Sequence, residues 1–454
     1  MLGLLKPKSP VEIREKVWTE RRMRWLAQRF GLERMKSATI VLPTTEFFPN
    51  QHTGDPDSVA DVFERVCGFM NADSQRFDLG IKNCCQGGTC GTIESEAKPV
   101  VQLGAEDVAD QETLIATLAR AVARDELLRE PSLDPNEGDF DSLTDLLPVF
   151  LGMGIFHANT AVKSKNERHG GWEYFSIRGA GFLQARVPGY AMALMSWIRG
   201  ETNPAWANML GTDAGSAFRK GLKFVSKTND SVFRPENAGQ PAETRSTATI
   251  ADDLRNGTET QRVSALWDLM ENPSAAAGAI EGVARCLRDS NPGVAAEAAR
   301  TVAALGPDAA SALPAVVEKL SSHDVAMRTY CAMAVGAIKP DLDSQSGGLS
   351  VREELLPLLT DRNSHVVDAA MHAFAEYGKD AEPALCSVVP RIVLYARDCE
   401  FGLLGSAISQ LASVVEDPQR FFTEQLAETD PELRTRILDE LTLITEEATG
   451  SEAT

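Results

Sequence analysis

Three cysteines stand close together in one glycine-rich stretch of the sequence, at Cys84, Cys85 and Cys90. Thiolates are the ligands that soft metals prefer in proteins, so this cluster could hold such an ion. The sequence offers no evident fourth ligand nearby, and adjacent cysteines chelate a single ion poorly. The alternative interpretation is an exposed hairpin tip that is prone to oxidation.

A second group of possible ligands is the acidic stretch at residues 130–141, which contains Glu130, Asp134, Glu137, Asp139 and Asp141. Carboxylate oxygens suit Ca²⁺, but an EF-hand loop requires its glycine at the sixth position. Gly138 is fifth when Asp134 is counted as first. The spacing therefore favours a solvated loop over a calcium site.

The histidines do not form an evident site in the sequence. His157 lies in an apolar stretch, which predicts a buried histidine or a residue left from a lost site. His323, His365 and His372 lie in the second half, where nothing converges with them, so we expect solvated or capping side chains. Nucleophile elbows, P-loops and dinucleotide fingerprints cannot be identified either, so nucleophilic and nucleotide chemistry have no support.

Composition and charge exclude several functional classes. The chain has 454 residues, of which 45 are Lys or Arg and 65 are Asp or Glu, so its formal net charge is −20. Nucleic acid is a poor partner for so acidic a chain. The sequence contains no run of about 18 apolar residues, so it predicts no membrane span. The scattered cysteines indicate a reducing, cytoplasmic setting. The sequence implies no cofactor.

The composition changes near the middle of the chain, where residues 226–248 are polar, contain two prolines and lack helical periodicity. This stretch predicts a linker. The sequence therefore predicts an α+β domain over residues 1–225, a linker over 226–248, an all-α domain over 249–445 and a polar tail over 446–454.

The second half contains an internal repeat of 33 to 39 residues, which is visible when Leu287, Leu320 and Leu359 are aligned. Apolar or small residues then recur seven, eleven and fifteen residues later, and the units close at Gly306, Lys339 and Gly378. We expect the two glycines to be left-handed C-caps. Apolar residues four apart form one stripe of a helix, and a small residue within the stripe allows close helix packing. The pattern predicts helical hairpins that must stack on one another to bury their apolar faces.

This pattern resembles HEAT-like repeats, with three clear copies and weaker units on both sides. The resemblance implies an α-solenoid that binds a protein partner through its surface. The alternative is that the solenoid only supports the first domain. The oligomeric state does not follow from the sequence.

The first half begins with a basic amphipathic helix, predicted over Pro10–Phe30. Ten Lys or Arg and four Glu occur up to Lys36, which leaves a net charge of −26 on the rest of the chain. Such a helix could touch a membrane or an acidic partner, but we expect it to dock on the acidic remainder of its own domain.

The rest of the first half predicts short strands and long helices. Strands are expected at Ala38–Leu42 and in three segments between Arg76 and Leu103, with helices at Asp57–Met70, Asp110–Arg129, Ser142–Val162 and Pro188–Gly200. A mixed sheet that accompanies long helices is an α+β arrangement.

Three segments carry a family resemblance: Val100-Val-Gln-Leu, the helix that contains Thr117-Leu-Ala, and the stretch Ser142–Gly154. They resemble a bacterial zincin-like metallopeptidase family, in which Thr-Leu-Ala leads directly into His-Glu-x-x-His. The two histidines of that motif bind zinc and its glutamate is the general base. Here the matching positions are Arg120, Ala121 and Arg124.

These substitutions are incompatible with zinc catalysis, because a guanidinium has no lone pair to donate and alanine cannot transfer a proton. In the family a downstream carboxylate, which matches Asp145, helps to hold the metal. Asp145 could instead pair with Arg120 or Arg124. If the resemblance fails, the segment is an ordinary amphipathic helix with both arginines on its exposed side.

The sequence thus favours a non-catalytic scaffold, in which a metal-less metallopeptidase-like domain precedes a HEAT-like interaction module. The alternative is a hydrolase or peptidase that acts through an unrecognised site. Whether the first domain still binds peptide is left open.

Overall fold

A computed structural model describes residues 7–50, 52–82, 92–93, 98–161, 163–169, 172–178, 181–240, 245–377, 382–398 and 401–451. The chain divides into two compact units, Met1–Glu243 and Thr244–Thr454. Among the described residues, no helix combines the length and the apolar character that crossing a membrane requires.

The first unit is mainly helical. Its helices are α1 Ile13–Leu26, α2 Leu32–Ser37, α3 Pro56–Met70, α4 Ala105–Val108, α5 Gln111–Leu128, α6 Phe140–Pro148, α7 Gly154–Thr160, α8 Arg186–Arg199 and α9 Thr212–Thr228. Its strands are β1 Asp78–Lys82, β2 Thr92–Ile93, β3 Val100–Gly104, β4 Lys163–His169 and β5 Trp172–Arg178.

The described strands of this unit form two small sheets. In the first, the order is β1-β3-β2, with β1 and β3 parallel and β2 antiparallel to β3. In the second, β4 and β5 form an antiparallel hairpin. Helices dominate the described part of this unit, which does not show the zincin-like mixed-sheet domain expected from the sequence.

The predicted strand at Ala38–Leu42 is irregular in the structure. The Val41 N–H donates to the Gly152 carbonyl at 3.0 Å. This segment therefore packs beside the irregular turn between α6 and α7 and does not pair with another described strand there. Gly152 has φ +95°, and a Cβ there would lie 2.2 Å from the Thr39 carbonyl oxygen. Together with Pro148, this glycine divides the single helix predicted for 142–162 into α6 and α7.

The basic N-terminal segment docks on its own unit, as predicted. Helix α1 ends at Leu26, earlier than predicted, and one π-helical turn connects it to α2. Arg22 of α1 forms ion pairs with Glu137 at 2.9 Å and Asp139 at 2.7 Å, and Trp18 donates to Asp139 at 2.6 Å. The acidic stretch predicted as a solvated loop therefore provides the surface on which α1 docks.

A buried polar network holds α1 against the segment predicted as a linker. Lys16 and Glu20, 1% and 0% exposed, form an ion pair at 2.8 Å. The Tyr190 hydroxyl donates to Glu20 Oε1 at 2.6 Å, and the Val232 N–H donates to Glu20 Oε2 at 2.8 Å. Phe233 is fully buried in the same core.

The linker prediction is therefore wrong for residues 226–240. Helix α9 extends to Thr228, and the residues after it pack into the core of the first unit. The division between the two units lies at 243/244, near the end of the predicted linker. The polar composition of this segment suggested a flexible spacer. The buried side chains of Phe233 and Ala238 and the hydrogen bond from the Val232 N–H to Glu20 instead hold it against the first unit.

The second unit is helical and its described helices form hairpins. They are α10 Thr247–Asn256, α11 Glu259–Glu271, α12 Ile280–Cys286, α13 Pro292–Leu305, α14 Leu313–Lys319, α15 Val325–Ile338, α16 Val351–Leu355, α17 Ser364–Ala375, α18 Glu382–Leu385, α19 Val389–Arg397, α20 Phe401–Val414, α21 Pro418–Gln425 and α22 Pro431–Ser451. A short strand pair, β6 Gln345–Ser346 and β7 Leu349–Ser350, occupies the predicted loop insertion.

The hairpins stack as the repeat predicts. Helices α11, α13, α15, α17, α20 and α22, here called the second helices, each pack against the next, and α10, α12, α14 and α16 form the other layer in the same way. All twelve aligned apolar positions are at most 4% exposed: Leu287, Leu320, Leu359, Val294, Met327, Val366, Ala298, Cys331, Ala370, Val302, Val335 and Phe374. The second unit is thus an α-solenoid of stacked helical hairpins.

The ends of the repeats differ from the prediction in detail. Gly306 has a positive φ of +56° but a ψ of −128°, so it is not a left-handed cap. Lys339, which closes the next unit, is the left-handed residue, with φ +54° and ψ +53°. Gly378 lies outside the described residues.

Candidate functional site

Helix α5 passes through the core of the first unit, and its substituted motif lies on its one partly exposed side. Ala121 is 6% exposed, whereas the side chains of Arg120 and Arg124 are 18% and 35% exposed. Asp110 caps the helix by accepting from the Thr113 N–H. The sequence thus placed these residues on the correct helix, with the arginines directed toward α6.

Arg120 and Asp145 form an ion pair between α5 and α6. Arg120 Nε donates to Asp145 Oδ1 at 2.5 Å, and the Asp145 side chain is 4% exposed. Of the two pairings that the sequence left open for Asp145, the structure contains this one.

The same carboxylate fixes a loop over the pair. Asp145 Oδ2 accepts the backbone N–H groups of Phe182 at 2.6 Å and Leu183 at 3.0 Å. At Gly181, where φ is +125°, a Cβ would lie 2.7 Å from both Arg120 Nη2 and Asp145 Oδ2. Only glycine allows so close an approach without a shift, so residues 181–183 close directly over the pair.

Arg124 also has a carboxylate partner from α6. Its Nη1 donates to Asp141 Oδ1 at 3.1 Å, and its guanidinium lies 5.1 Å from the centre of the Phe140 ring. This pair is more exposed, because the Asp141 side chain is 54% exposed. Arg120 and Arg124 are thus both held by carboxylates of α6.

His157 lies beneath this cluster on α7 and is 3% exposed. Among the described residues, neither of its ring nitrogens has a hydrogen-bond partner of good geometry. Burial lowers the pKa of His157 to about 4; nearby Arg120 lowers it further, while Asp145 and the Met153 carbonyl oppose the shift. The ring is therefore neutral at physiological pH.

This arrangement cannot bind a metal in the zincin manner. Guanidinium groups have no lone pair to donate, and Asp145 already accepts three hydrogen bonds. No group of three potential ligands converges within the described part of the chain. Cys84, Cys85 and Cys90 lie outside the described residues, so their interpretation remains a prediction.

The acidic stretch 130–141 likewise forms protein contacts. Burial alone would raise the pKa of Asp139, but hydrogen bonds from Arg22 and Trp18 outweigh it and lower the pKa. Glu130 Oε1 lies 3.6 Å from Arg29 Nη1, which is an ion-pair distance. These carboxylates neutralise basic residues of the N-terminal segment.

The solenoid presents a second candidate site, a row of side chains at one register position on successive second helices. We call it the exposed row: Trp267 on α11, Arg300 on α13, Met333 on α15 and His372 on α17. Met333 is 46% and the Arg300 side chain 37% exposed, His372 is exposed and Trp267 is half-buried. Val325 at the start of α15 adds an apolar side chain that is 38% exposed.

A buried carboxylate connects the first two members of the exposed row. Glu297 on α13 is 2% exposed. Its Oε2 accepts from Trp267 Nε1 at 2.7 Å and from Arg300 Nη1 at 3.1 Å. Trp267 and Arg300 are therefore held in one geometry by a group that solvent cannot reach.

The sequence interpretation missed this row, although the repeat contained the signal. Arg300, Met333 and His372 each follow an aligned repeat leucine by thirteen residues: Leu287, Leu320 and Leu359. Trp267 follows Leu254, which lies 33 residues before Leu287, by the same distance. His372 was predicted to be solvated, and its exposure agrees with this; His323 and His365 are exposed as well. Reading the exposed positions along with the buried ones would have identified the row.

Comparisons with known proteins give no family. No protein-family model matches the chain, and no curated protein does. Among solved structures, an engineered protein shares 20% identity over 44% of this chain and 96% of that chain, with a TM-score of 0.30. A structure described as the Pds5-Scc1 complex shares 11% identity over 97% of this chain and 67% of that chain, with a TM-score of 0.27. At these TM-scores the functional argument rests on the residues of this chain.

Proposed function

We propose that this protein is a non-catalytic scaffold that binds another protein through its solenoid. The observation that carries this proposal is the exposed row, which places tryptophan, arginine, methionine and histidine side chains on four successive packed helices. Aromatic residues, arginine and methionine are the side chains enriched in protein interfaces. A stack of helical hairpins supplies the extended surface that such binding requires.

We further propose that the first unit is a metallopeptidase-like domain in which ion pairs have replaced the metal site. The support is chemical: both positions that would hold zinc ligands are arginines, and each is neutralised by a carboxylate of α6. The residue at the position of the general base is the buried Ala121. The loop at 181–183 closes over the Arg120–Asp145 pair. No chemical step can be assigned to this arrangement.

Binding is tested by photo-crosslinking in the native host. A photoreactive phenylalanine analogue replaces Met333 in the exposed row or, as the control, Leu394. Leu394 is 41% exposed and lies on α19, which is not one of the second helices. We expect one discrete crosslinked protein from position 333 and none from position 394. Equal crosslinking at the two positions would contradict a binding surface on the second helices.

Catalysis is tested by metal analysis and peptide cleavage with the purified full chain. We expect no stoichiometric zinc and no cleavage of unfolded casein. Turnover that a chelator abolishes would overturn the proposal and support the alternative hydrolase. Peptide binding that survives Arg120→Ala and Arg124→Ala would place any remaining peptide groove elsewhere.

A further inference from the structure

We propose that the exposed row docks a basic amphipathic helix of another protein, an inference that rests on the binding function proposed above. The inference specifies two properties of the partner segment, its positive charge and its helical conformation. Both follow from the charge distribution of the second unit and the spacing of its second helices.

Negative charge is concentrated in the second unit. Residues 244–454 contain 17 Lys or Arg and 33 Asp or Glu, a formal net charge of −16, whereas residues 1–243 contain 28 and 32, a net charge of −4. A partner segment for the second unit is therefore expected to be positively charged, because complementary charges steer association and disfavour like-charged competitors.

The arginines near the exposed row do not offset this charge, because each is already paired. The pairs are Arg262 with Asp289 at 2.7 Å, Arg300 with Glu297 at 3.1 Å and Arg328 with Asp361 at 2.8 Å. An acidic partner would have to compete with these carboxylates for every guanidinium. Because these three guanidiniums are already neutralised, they do not offset the negative charge of the unit.

The spacing of the row favours a helix. Packed helices lie about 8–10 Å apart, so four of them present a row of about 24–30 Å. An α-helix of about 16–20 residues has this length, and residues seven apart on it share a face and lie about 10 Å apart. In an extended strand three residues span about 10 Å, but alternate residues face opposite sides. A strand at this spacing would direct successive anchors to opposite faces.

The row also provides anchoring points for the apolar face of such a helix. Trp267 and Arg300 are fixed by the buried Glu297, so little side-chain freedom is lost when a partner binds. Tryptophan and arginine are the residue types most enriched among the strongest contributors to binding. Met333 continues this surface with an exposed apolar side chain, and methionine adapts to irregular shapes.

The proposal is tested with two synthetic peptides and the full-length protein. Each peptide has about 18 residues, which is about five helical turns, with leucines on one face and either lysines or glutamates on the other. Fluorescence anisotropy should show binding of the lysine peptide at least about tenfold tighter than that of the glutamate peptide, and weaker binding as NaCl is raised. Equal or tighter binding of the glutamate peptide would overturn the assigned charge.

Two matched variants locate the binding surface. Met333→Asp adds a negative charge, so an attraction that is purely electrostatic would make the lysine peptide bind more tightly. If the peptide docks on the exposed row, its affinity should instead fall about tenfold, which is about 1.4 kcal/mol. Leu394→Asp adds the same charge on α19, outside the exposed row, and should leave binding unchanged. Identical affinities for the two variants would overturn the docking site.

Sedimentation of the unmodified protein tests for a second copy as the occupant. Self-association that Met333→Asp abolishes would overturn the proposal. The proposed scaffold function has its own test: it is contradicted if position 333 gives no crosslinked protein that position 394 does not also give. If that crosslinking persists while the lysine peptide fails to bind, only the assigned partner chemistry is wrong.

Discussion

Asp145 and Arg120 are joined across α5 and α6 by a hydrogen bond of 2.5 Å, and the same carboxylate holds the backbone N–H groups of Phe182 and Leu183. One acidic side chain therefore fixes two helices and a loop. The pair occupies the position where the zincin-like resemblance would place a metal and its ligands. The contacts of this carboxylate are structural ones, because they join α5, α6 and the loop at 181–183.

Replacing Asp145 should destabilise the first unit. Asp145→Ala leaves the partly buried Arg120 without this acceptor and removes the partner of two backbone N–H groups, so we expect a loss of about 2–4 kcal/mol. Asp141→Ala breaks the more exposed pair with Arg124 and should cost less than about 1 kcal/mol. Urea unfolding followed by tryptophan fluorescence measures both, since five of the six tryptophans precede residue 244. Equal losses would show that Asp145 has no special role.

His157 should make the first unit less stable in mild acid. Its pKa is about 4 in the folded protein, against an ordinary value of 6.5, because burial disfavours the imidazolium. Between these values the unfolded chain binds more protons, so the free energy of unfolding falls as the pH drops from 7 to 4. The histidine accounts for about 3 kcal/mol of this fall.

The measurement compares the wild-type protein with His157→Leu by urea unfolding at pH 7 and pH 4.5. Other groups titrate in both proteins, so the difference between the two pH dependences isolates the histidine. We expect the variant to lose less stability on acidification. Parallel pH profiles would contradict this account of the buried ring.

The buried Lys16–Glu20 pair should respond unequally to loss of either partner. Glu20→Gln leaves the ammonium of Lys16 buried without its counter-charge, and we expect a loss of about 3–5 kcal/mol. Lys16→Met leaves Glu20 with two hydrogen-bond donors, Tyr190 and Val232, and should cost less. Tyr190→Phe removes one hydrogen bond and should cost about 1–2 kcal/mol. Thermal unfolding checks this order, and a larger loss for Lys16→Met would refute it.

An ion pair between repeats should stabilise the solenoid locally. Arg328 on α15 reaches Asp361, which precedes α17, and the two side chains are 15% and 12% exposed. Arg328→Met should cost about 1–3 kcal/mol, because the Asp361 carboxylate, whose side chain is only 12% exposed, loses its ion-pair partner. Arg352→Met breaks a pair whose acid, Asp343, is 77% exposed, and should change stability by less than about 1 kcal/mol. Hydrogen exchange in α17 reports the difference.

Gly336 should resist replacement by alanine although it lies within a helix. A Cβ there would lie 2.8 Å from the Ala373 Cα, so α15 and α17 would have to separate. Helix propensity alone would favour alanine by about 1 kcal/mol, and we expect the clash to outweigh this gain. Gly68→Ala in α3 is the control, since a Cβ at that position has no neighbour within 4 Å. Stabilisation by both substitutions would show that α15 and α17 can separate at little cost.

The sequence by itself determined the solenoid. Its repeat placed Leu287, Leu320 and Leu359 in phase, and each is buried as predicted. Hydrophobic periodicity is a local property of helices, and a hairpin repeat needs only its neighbour to bury its stripe. The same reasoning located α3, α5 and α8 to within a few residues. It also identified the charge that brings the basic N-terminal helix to its acidic counter-surface.

Only the tertiary structure decided which polar groups meet. Residues 226–240 are polar in sequence, yet Glu20, more than 200 positions earlier, binds the Val232 N–H and draws this segment into the core. The choice of Arg120 as the partner of Asp145, and the loop closed over them by Gly181, depend on contacts between distant parts of the chain. Such pairings are set by three-dimensional packing, because a buried charge is stable only where its partner and its hydrogen bonds are supplied together.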